Sequence, residues 1–275
     1  PSIPLVIYGV IAGASIGNLF LAGMVPGIIL ALALCIYVCY IANKRNYPSG
    51  RKYAGMEFIK MTVSAVPALL TPIILLMGIY TGIMTATEAG AVAALYALLI
   101  SVFAYRSITL SEFIQVLKNT VKSTGQIGIM LGAAYVFSYV IAVENLPSLA
   151  GNLILSFATT KVSFLVFVNI LLFILGMLLD SAVLQLVLLP ILCPIAQSFG
   201  IDMVHFGVVF TLNTMIGLCT PPFGMLLFIV TGISGEKMNT IIKEVMPMVF
   251  VMVLVLILVT FVPDVIMWLP RLFGR

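Results

Sequence analysis

The sequence has very little charge. Only 8% of its 275 residues are Asp, Glu, Lys or Arg, whereas 63% are apolar, and the mean hydropathy is +1.26. This composition excludes a soluble globular domain and predicts an all-α polytopic membrane protein. The net charge of +4 does not indicate nucleic-acid binding, because the basic residues lie in short loops between hydrophobic segments.

Patterns typical of disulfides and bound metals are also missing. The four cysteines, Cys35, Cys39, Cys193 and Cys219, lie in apolar surroundings. Their spacing relative to the single histidine, His205, matches neither a zinc site nor a disulfide framework. We therefore expect no protein-bound cofactor, and we expect Cys35 and Cys39, one helical turn apart, to pack as small apolar residues.

Charges deep within the apolar segments are rarer still. No Lys or Arg lies there, and Asp180 is the only acidic residue that does. Such charges are costly and usually functional, so Asp180 is the first candidate site residue. A re-entrant hairpin with Asp180 near its tip is the preferred interpretation. If both flanking arms are full spans, Asp180 is instead a surface-loop carboxylate. Ser181 is either a hydroxyl ligand or a helix cap.

A lone carboxylate at depth also bears on enzymatic function. An intramembrane aspartyl protease needs two facing carboxylates within the membrane, and Asp180 is the only carboxylate at that depth in this sequence. The chain is therefore not expected to be an enzyme.

The chain is rich in glycine and proline, with 22 and 14 of these residues. Two consecutive prolines interrupt one apolar segment, and they cannot continue a regular helix. Irregular backbone at membrane depth persists only where it is buried in protein or lines a wet cavity, so a transporter site is predicted. The alternative is a simple proline kink. The candidate binding residues here are Asn213, Thr214, Gly217, Cys219, Thr220, Pro221, Pro222 and Gly224.

The residue types at this break suit a cation together with an anion. Prolines leave carbonyls free, and these carbonyls with the Thr220 hydroxyl suit a hard cation such as sodium. The half-helix that begins near Gly224 favours a carboxylate at its N-terminus. Cys219 would contribute its carbonyl. Asn213 and Thr214 would either contact substrate or hydrogen-bond between helices.

A weak internal repeat appears at a shift of 221 residues. Each copy has a proline break, a short apolar helix, a gap, a proline and a full span, which is typical of secondary transporters. Pro1 and Ser2 become the counterpart of the Pro222 region and are candidate binding residues, and Ser2 could offer its hydroxyl to sodium or substrate. The matched pairs include Pro1 with Pro222, Leu5 with Leu226, Asn18 with Asn239 and Pro26 with Pro247.

Several polar residues are expected to have structural roles. Thr85–Glu88 and Thr109–Glu112 have the capping-box pattern, so Glu88 is expected to stabilise a helix start. Leu110–Val121 is amphipathic and is predicted to lie in the membrane interface. Asp202 is expected to cap a helix, with His205 in a structural role.

Together these motifs resemble the large membrane subunit of tripartite ATP-independent periplasmic (TRAP) transporters. The resemblance follows the order of the chain and covers essentially all of it. The motifs are the opening Pro1–Gly9, Thr85–Gly90, Gly176–Asp180, Leu188–Ala196, Gly200–Gly207 and Thr220–Gly224.

This resemblance implies an inverted-repeat, elevator-type, sodium-coupled importer of organic acids such as C4-dicarboxylates or sialic acid. Sodium ligands would include Asp180, Thr220 and Ser2. The expected partners are a small membrane (Q) subunit, a periplasmic substrate-binding (P) protein and membrane lipid, in the bacterial inner membrane. The family subunit is longer at its N-terminus, so a first hairpin is expected to precede Pro1. A channel and a non-transporting structural subunit are the alternatives.

The predicted organisation has four parts. Two belong to a moving transport region and two to the scaffold and its arms. These parts are 1–14, a broken helix of the first repeat; 15–122, scaffold spans and interfacial arm helices; 123–234, the second-repeat transport region with a hairpin around 163–198 and a broken helix at 203–234; and 235–275, an arm helix and the last span.

Overall fold

Helices are the only regular structure in the part of the chain described here. The structure is a computed structural model that describes residues 2–47, 50, 55–145, 154 and 157–273. The helices are α1 Ile3–Ala12, α2 Ile16–Lys44, α3 Gly55–Tyr80, α4 Ala86–Leu99, α5 Leu110–Val143, α6 Lys161–Gly176, α7 Ser181–Ser198, α8 Met203–Leu218, α9 Met225–Ser234, α10 Met238–Phe261 and α11 Asp264–Phe273. A π-helical turn, Ile100–Ala104, extends α4.

Six of the described helices are long and apolar enough to cross a membrane. They are α2, α3, α4 with its π-helical turn, α5, α7 and α10. Because a bilayer core about 30 Å thick needs about 20 helical residues, the chain is a multi-pass membrane protein. The predicted class of all-α polytopic membrane protein is confirmed.

The chain divides into two compact units. The first comprises the described residues of Pro1–Lys44 and Met130–Arg275, and the second comprises those of Arg45–Ile129. In the first unit, α8 packs against α1, α2, α6, α7 and α10, and most of its side chains are buried. This central helix contains Asn213 and Thr214, two of the candidate binding residues.

The packing of α1 on α8 is close. The Tyr8 hydroxyl donates to the Met203 carbonyl over 2.7 Å. A Cβ added to Gly207 would come within 3 Å of the Tyr8 ring and the Leu19 side chain. Only glycine therefore allows this approach, which places α1 directly against α8.

In the second unit, α3 and α4 form a pair joined by tyrosine hydroxyls. Tyr96 donates to the Pro67 carbonyl over 2.9 Å, and Tyr105 donates to the Ser64 carbonyl over 2.7 Å. Pro67 and Pro72 both lie inside the continuous helix α3, and no residue of α3 is buried. The large apolar side chains of this helix are mostly exposed.

The predicted capping boxes are present. The Thr85 hydroxyl accepts from the Glu88 N–H over 3.3 Å, and the Glu88 carboxylate accepts from the Thr85 N–H over 2.8 Å. Thr109 and Glu112 form the same reciprocal pair. Asp202 caps α8 by accepting from Val204 N–H over 2.7 Å. Since each carboxylate is used at a helix start, the structural roles expected for Glu88 and Asp202 are confirmed.

Helix continuity differs from the sequence prediction at two places. The amphipathic stretch Leu110–Val121 and the following span are one uninterrupted helix, α5, and the arm helix expected within 235–275 is continuous with the last span as α10. In both helices, backbone hydrogen bonding continues from the amphipathic stretch into the span, because no adjacent glycine and proline interrupt the helix there. The short helix α11 was not predicted.

The helices of the proposed repeat begin at matching positions, and the two short helices have the same length. Both α1 and α9 contain 10 residues, and both α2 and α10 have an internal proline, Pro26 and Pro247. Adding 221 to the limits of α1 gives 224–233, one residue before α9. The same shift takes Ile16 to residue 237, one residue before the start of α10.

Candidate ion and substrate site

The turn between α6 and α7 places Asp180 at a helix start. After α6 ends at Gly176, the N–H of Leu179 donates to the Leu175 carbonyl over 2.9 Å. Asp180 is the N-cap of α7, and its Oδ1 accepts from the Ala182 N–H over 2.8 Å. A half-buried carboxylate in this position satisfies a free donor and meets the positive end of the helix dipole. Asp180 therefore supports the turn, and sodium ligation by it stays a prediction.

The helix break lies between α8, which ends at Leu218, and α9, which begins at Met225. Thr220 is buried, and its hydroxyl donates to the Ile216 carbonyl over 2.8 Å. Because that bond uses the hydroxyl hydrogen, the oxygen of Thr220 keeps acceptor capacity for a cation or a donor. Of the consecutive prolines, Pro221 is half-buried and Pro222 is exposed.

Gly224 joins the break to the turn after α6. Its N–H donates to the Met177 carbonyl over 3.2 Å. Gly224 has φ of 31°, a left-handed conformation that disfavours other residues, and an added Cβ would lie 2.8 Å from the Thr220 carbonyl oxygen. A glycine is therefore needed here for the backbone of the break to reach the turn.

A second backbone contact lies between the ends of α6 and α8. A Cβ on Gly217 would come within 2.6 Å of the Gly176 carbonyl carbon, and a Cβ on Gly176 would come within 3.3 Å of the Gly217 Cα. The two helices thus meet without side chains between them, as small residues allow in membrane helices. This contact holds the C-terminal ends of α6 and α8 together.

Ser181 and Thr214 form a buried hydroxyl pair between α7 and α8. Their oxygens lie 2.9 Å apart, and the Thr214 hydroxyl also lies 3.0 Å from the Thr211 carbonyl. Asp180 is the N-cap of α7, so the alternative prediction that Ser181 caps this helix is wrong. One turn further along α7, the amide of Gln185 donates to the Thr211 hydroxyl over 3.4 Å. A polar seam therefore runs along the α7–α8 contact.

Asn213 lies on a different face of α8 from Thr214. Its amide nitrogen donates to the Asn169 carbonyl over 3.0 Å and to the Asn169 Oδ1 over 2.8 Å. Both residues line a groove of about 370 Å³ between α6, α8 and α10 that also includes Thr260. Asn213 thus bonds helix to helix, which was one of its two predicted roles.

The remaining candidates lie at the edge of this arrangement or outside it. The Ser2 hydroxyl caps α1 by accepting from the Leu5 N–H over 3.4 Å, and α1 packs against α7 and α8. Pro1 lies outside the described residues. Cys219 is half-buried just after α8, and its predicted carbonyl ligation stays a prediction. His205 is buried with Nε2 3.0 Å from the Val259 carbonyl, in agreement with its expected structural role.

Four helix ends therefore meet at one place. The C-terminal ends of α6 and α8 touch at Gly176 and Gly217, the start of α7 bonds α8 through Ser181, and the start of α9 bonds the α6–α7 turn through Gly224. Two helix C-termini offer carbonyl oxygens and two N-termini offer N–H groups. Such an arrangement can hold a cation and an anion side by side.

The sequence matches a known family over nearly its whole length. The family described as "Tripartite ATP-independent periplasmic transporter, DctM component" matches residues 1–265. The chain belongs to this family. The resemblance stated from the motifs is thereby confirmed, and a TRAP permease component is a transport protein, not an enzyme.

Three relatives illustrate the range within the family. The sialic acid TRAP transporter large permease protein SiaM of Vibrio cholerae is 41% identical over 99% of this chain and 64% of its own length. The C4-dicarboxylate large permease protein DctM of Pseudomonas aeruginosa is 35% identical over 100% of this chain and 64% of its length. The isethionate permease protein DctMQ of Oleidesulfovibrio alaskensis is 36% identical over 98% and 42%. This TRAP permease chain therefore spans less than two thirds of these relatives.

Sequence reasoning gave no site role to three residues that shape the candidate site. Gln185 extends the polar seam, Asn169 orients Asn213, and Gly176 allows the contact between α6 and α8. A signal existed for Gln185, because it follows Ser181 by four residues and so lies on the same helix face. The partners of Asn169 and Gly176 are 44 and 41 residues away in sequence, and no local pattern indicates them.

Proposed function

We propose that this chain forms the transport region of a sodium-coupled TRAP importer for an organic acid. The acid would be delivered by a periplasmic binding protein, a small membrane subunit would complete the scaffold, and the assembly would lie in the bacterial inner membrane. The observation that carries the proposal is the meeting of four helix ends at the α6–α7 turn and the α8–α9 break.

The chemistry of these ends suits the joint transport of a cation and an anion. Sodium would be ligated by oxygens from Asp180, Thr220 and Ser2 together with carbonyls of the break, including those of Cys219 and Pro221. A substrate carboxylate would meet the N-terminal end of α9. The sodium ion would then neutralise part of the charge of the acid that moves with it, which lowers the cost of taking either ion from water.

The neutrality of the surrounding core supports this pairing. Among the described residues, the buried polar side chains are Ser, Thr, Asn, Gln and His, with no Lys, Arg, Asp or Glu. An anion entering such a core would have no buried base as a counter-ion, so a co-bound cation is the available source of positive charge.

The names of the relatives support a substrate class. Their names specify sialic acid, C4-dicarboxylate, isethionate and 2,3-diketo-L-gulonate, all of which are organic anions at neutral pH. We propose a substrate of this class. An elevator-type movement of the first unit is supported by the matching positions of α1 with α9 and α2 with α10, because internal structural repeats are typical of alternating-access transporters.

The test is uptake of a panel of organic acids into proteoliposomes that contain the full-length transporter with its binding protein and small subunit. Saturable uptake that requires a sodium gradient is expected. Uptake that proceeds unchanged without sodium would contradict the coupling, and a steady ionic conductance would indicate a channel.

Two matched variants assign the role of Asp180. Asp180→Asn keeps an N-cap residue but removes the charge, since Asn caps about as well as Asp. Asp202→Asn makes the same change at the exposed start of α8. We expect Asp180→Asn to lose sodium-dependent uptake at an unchanged melting temperature, with Asp202→Asn close to the unaltered protein. Normal sodium dependence in Asp180→Asn would remove Asp180 from the ion site.

A further inference from the structure

The last described helix, α11, has an exposed apolar face. Its core face packs against α2 and α8 through Ile266, Met267 and Pro270, which are buried. Trp268, Leu272 and Phe273 point away from that core and are 50%, 65% and 56% exposed. We call these last three residues the anchor face.

A narrow charged strip borders the anchor face. Arg271 Nη1 lies 2.7 Å from Asp264 Oδ1, and both side chains are largely exposed. Residues seven apart lie nearly in line along a helix, so the ion pair runs along one edge of α11. The helix therefore has one face buried against protein, one narrow charged edge, and one apolar face whose three side chains are each at least half exposed.

The position of α11 in the chain sets its depth. The apolar span α10 ends at Phe261, and α11 begins after only Val262 and Pro263. His205 Nε2 lies 3.0 Å from the Val259 carbonyl, so this end of α10 adjoins the start of α8, where Asp202 is exposed. A span that ends there must leave the hydrocarbon near that point, and a helix that follows at once begins at the membrane surface.

We propose that α11 is an interfacial anchor whose anchor face lies in the bilayer at the boundary between lipid headgroups and acyl chains. Tryptophan favours this boundary because its ring is apolar and its N–H is polar. A helix with an apolar face and a charged edge lies in the plane of the interface. The anchor would fix the depth of the first unit through the packing of α11 on α2.

The only tryptophan of this sequence, Trp268, reports directly on the proposal. The full-length transporter is reconstituted into bilayers with bromine near the headgroups or near the chain ends, and the spectrum of Trp268→Phe is subtracted to isolate the Trp268 emission. We expect blue-shifted emission, greater loss of intensity with the shallow bromine than with the deep bromine, and weak quenching by aqueous iodide.

A depth control comes from α10. Phe250 is 64% exposed near the middle of that span. With Trp268→Phe in the same chain, Phe250→Trp should be quenched more by the deep bromine, which is the reverse of Trp268. A second variant, Leu272→Glu, places a charge on the anchor face and should shift Trp268 emission to longer wavelength with more iodide quenching.

Two outcomes would overturn the anchor. Quenching of Trp268 by iodide but by neither bromine would place the face in water. Protection from iodide and from both bromines would show that a protein surface, either a partner or a second copy of the chain, covers it.

Discussion

Two apolar helices of this chain, α3 and α8, differ in how far their side chains are buried. No residue of α3 is buried, whereas α8 buries most of its length, including Thr211, Asn213 and Thr214. In α3 the large apolar side chains remain exposed, as suits a lipid-facing helix. In α8 the buried polar groups bond neighbouring helices. High hydropathy therefore indicates that a helix belongs in a membrane, and burial of polar groups indicates which helix carries the candidate site.

Prolines show the same contrast. Pro67 and Pro72 stand singly inside α3, which remains one helix from Gly55 to Tyr80. Pro221 and Pro222 stand together before Gly224, and the helix ends before them at Leu218. An isolated proline removes one backbone hydrogen bond, which a membrane helix can tolerate. A proline pair followed by a glycine in the left-handed conformation removes two donors and departs from helical backbone angles, so the helix cannot continue.

The largest expected effect is at the glycine contact of α8. Gly217→Ala places a Cβ within 3 Å of the Gly176 backbone, which cannot move as a flexible side chain can. Overpacking of this kind costs about 1–3 kcal/mol, and we expect a lower melting temperature with loss of uptake. On α3, Gly78→Ala meets the Met84 sulfur at 3.1 Å, the far part of a flexible side chain, and should be tolerated. Equal melting temperatures for the two variants would contradict a rigid α6–α8 contact.

A smaller effect is expected from the hydroxyl pair between α7 and α8. Ser181→Ala and Thr214→Val each remove one partner of a buried bond of 2.9 Å, at a cost of about 1 kcal/mol each. The double variant should cost less than the sum, because the second change removes a group that is already unpaired. Thermal unfolding of all four proteins gives the coupling. Strict additivity would mean that the two hydroxyls do not interact.

Matched threonines on α3 and at the break give the third test. Thr220 and Thr62 each donate to the carbonyl four residues earlier, over 2.8 Å and 2.9 Å, but only Thr220 is buried. We expect Thr220→Val to destabilise by about 0.5–1.5 kcal/mol and to reduce sodium affinity in uptake assays. Thr62→Val should change neither quantity. If both variants transport with the same sodium affinity, the Thr220 oxygen is not an ion ligand.

The smallest effect is expected between α3 and α4. Tyr96→Phe removes the bond of 2.9 Å to the Pro67 carbonyl, and bonds between membrane helices contribute about 0.6 kcal/mol on average. A slight fall in melting temperature with unchanged substrate affinity is expected. Tyr37→Phe on α2 is the control for loss of a hydroxyl. A change in substrate affinity for Tyr96→Phe alone would contradict a purely structural role for this bond.

Much of the site was predictable where the signal was local. The proline pair predicts the end of α8, Asp180 between two apolar arms predicts a turn, and the capping boxes at Thr85 and Thr109 predict helix starts. The continuity of α5 and α10 was not predictable from amphipathicity, because a change from an amphipathic to a uniformly apolar pattern does not interrupt the backbone hydrogen bonds of a helix. Which of its two predicted roles Asn213 has was not predictable either, because its partner Asn169 is distant in sequence.

The sequence by itself determined that this TRAP permease chain crosses a membrane repeatedly, because long apolar helices with so few charged residues are stable in lipid and not in water. It also determined where α8 must stop, since prolines and glycines act on their own backbone. Only the tertiary structure decided that Gly217 meets Gly176, Ser181 meets Thr214 and Gly224 meets Met177. These contacts join residues that are distant along the chain, and close packing rather than local conformation selects them.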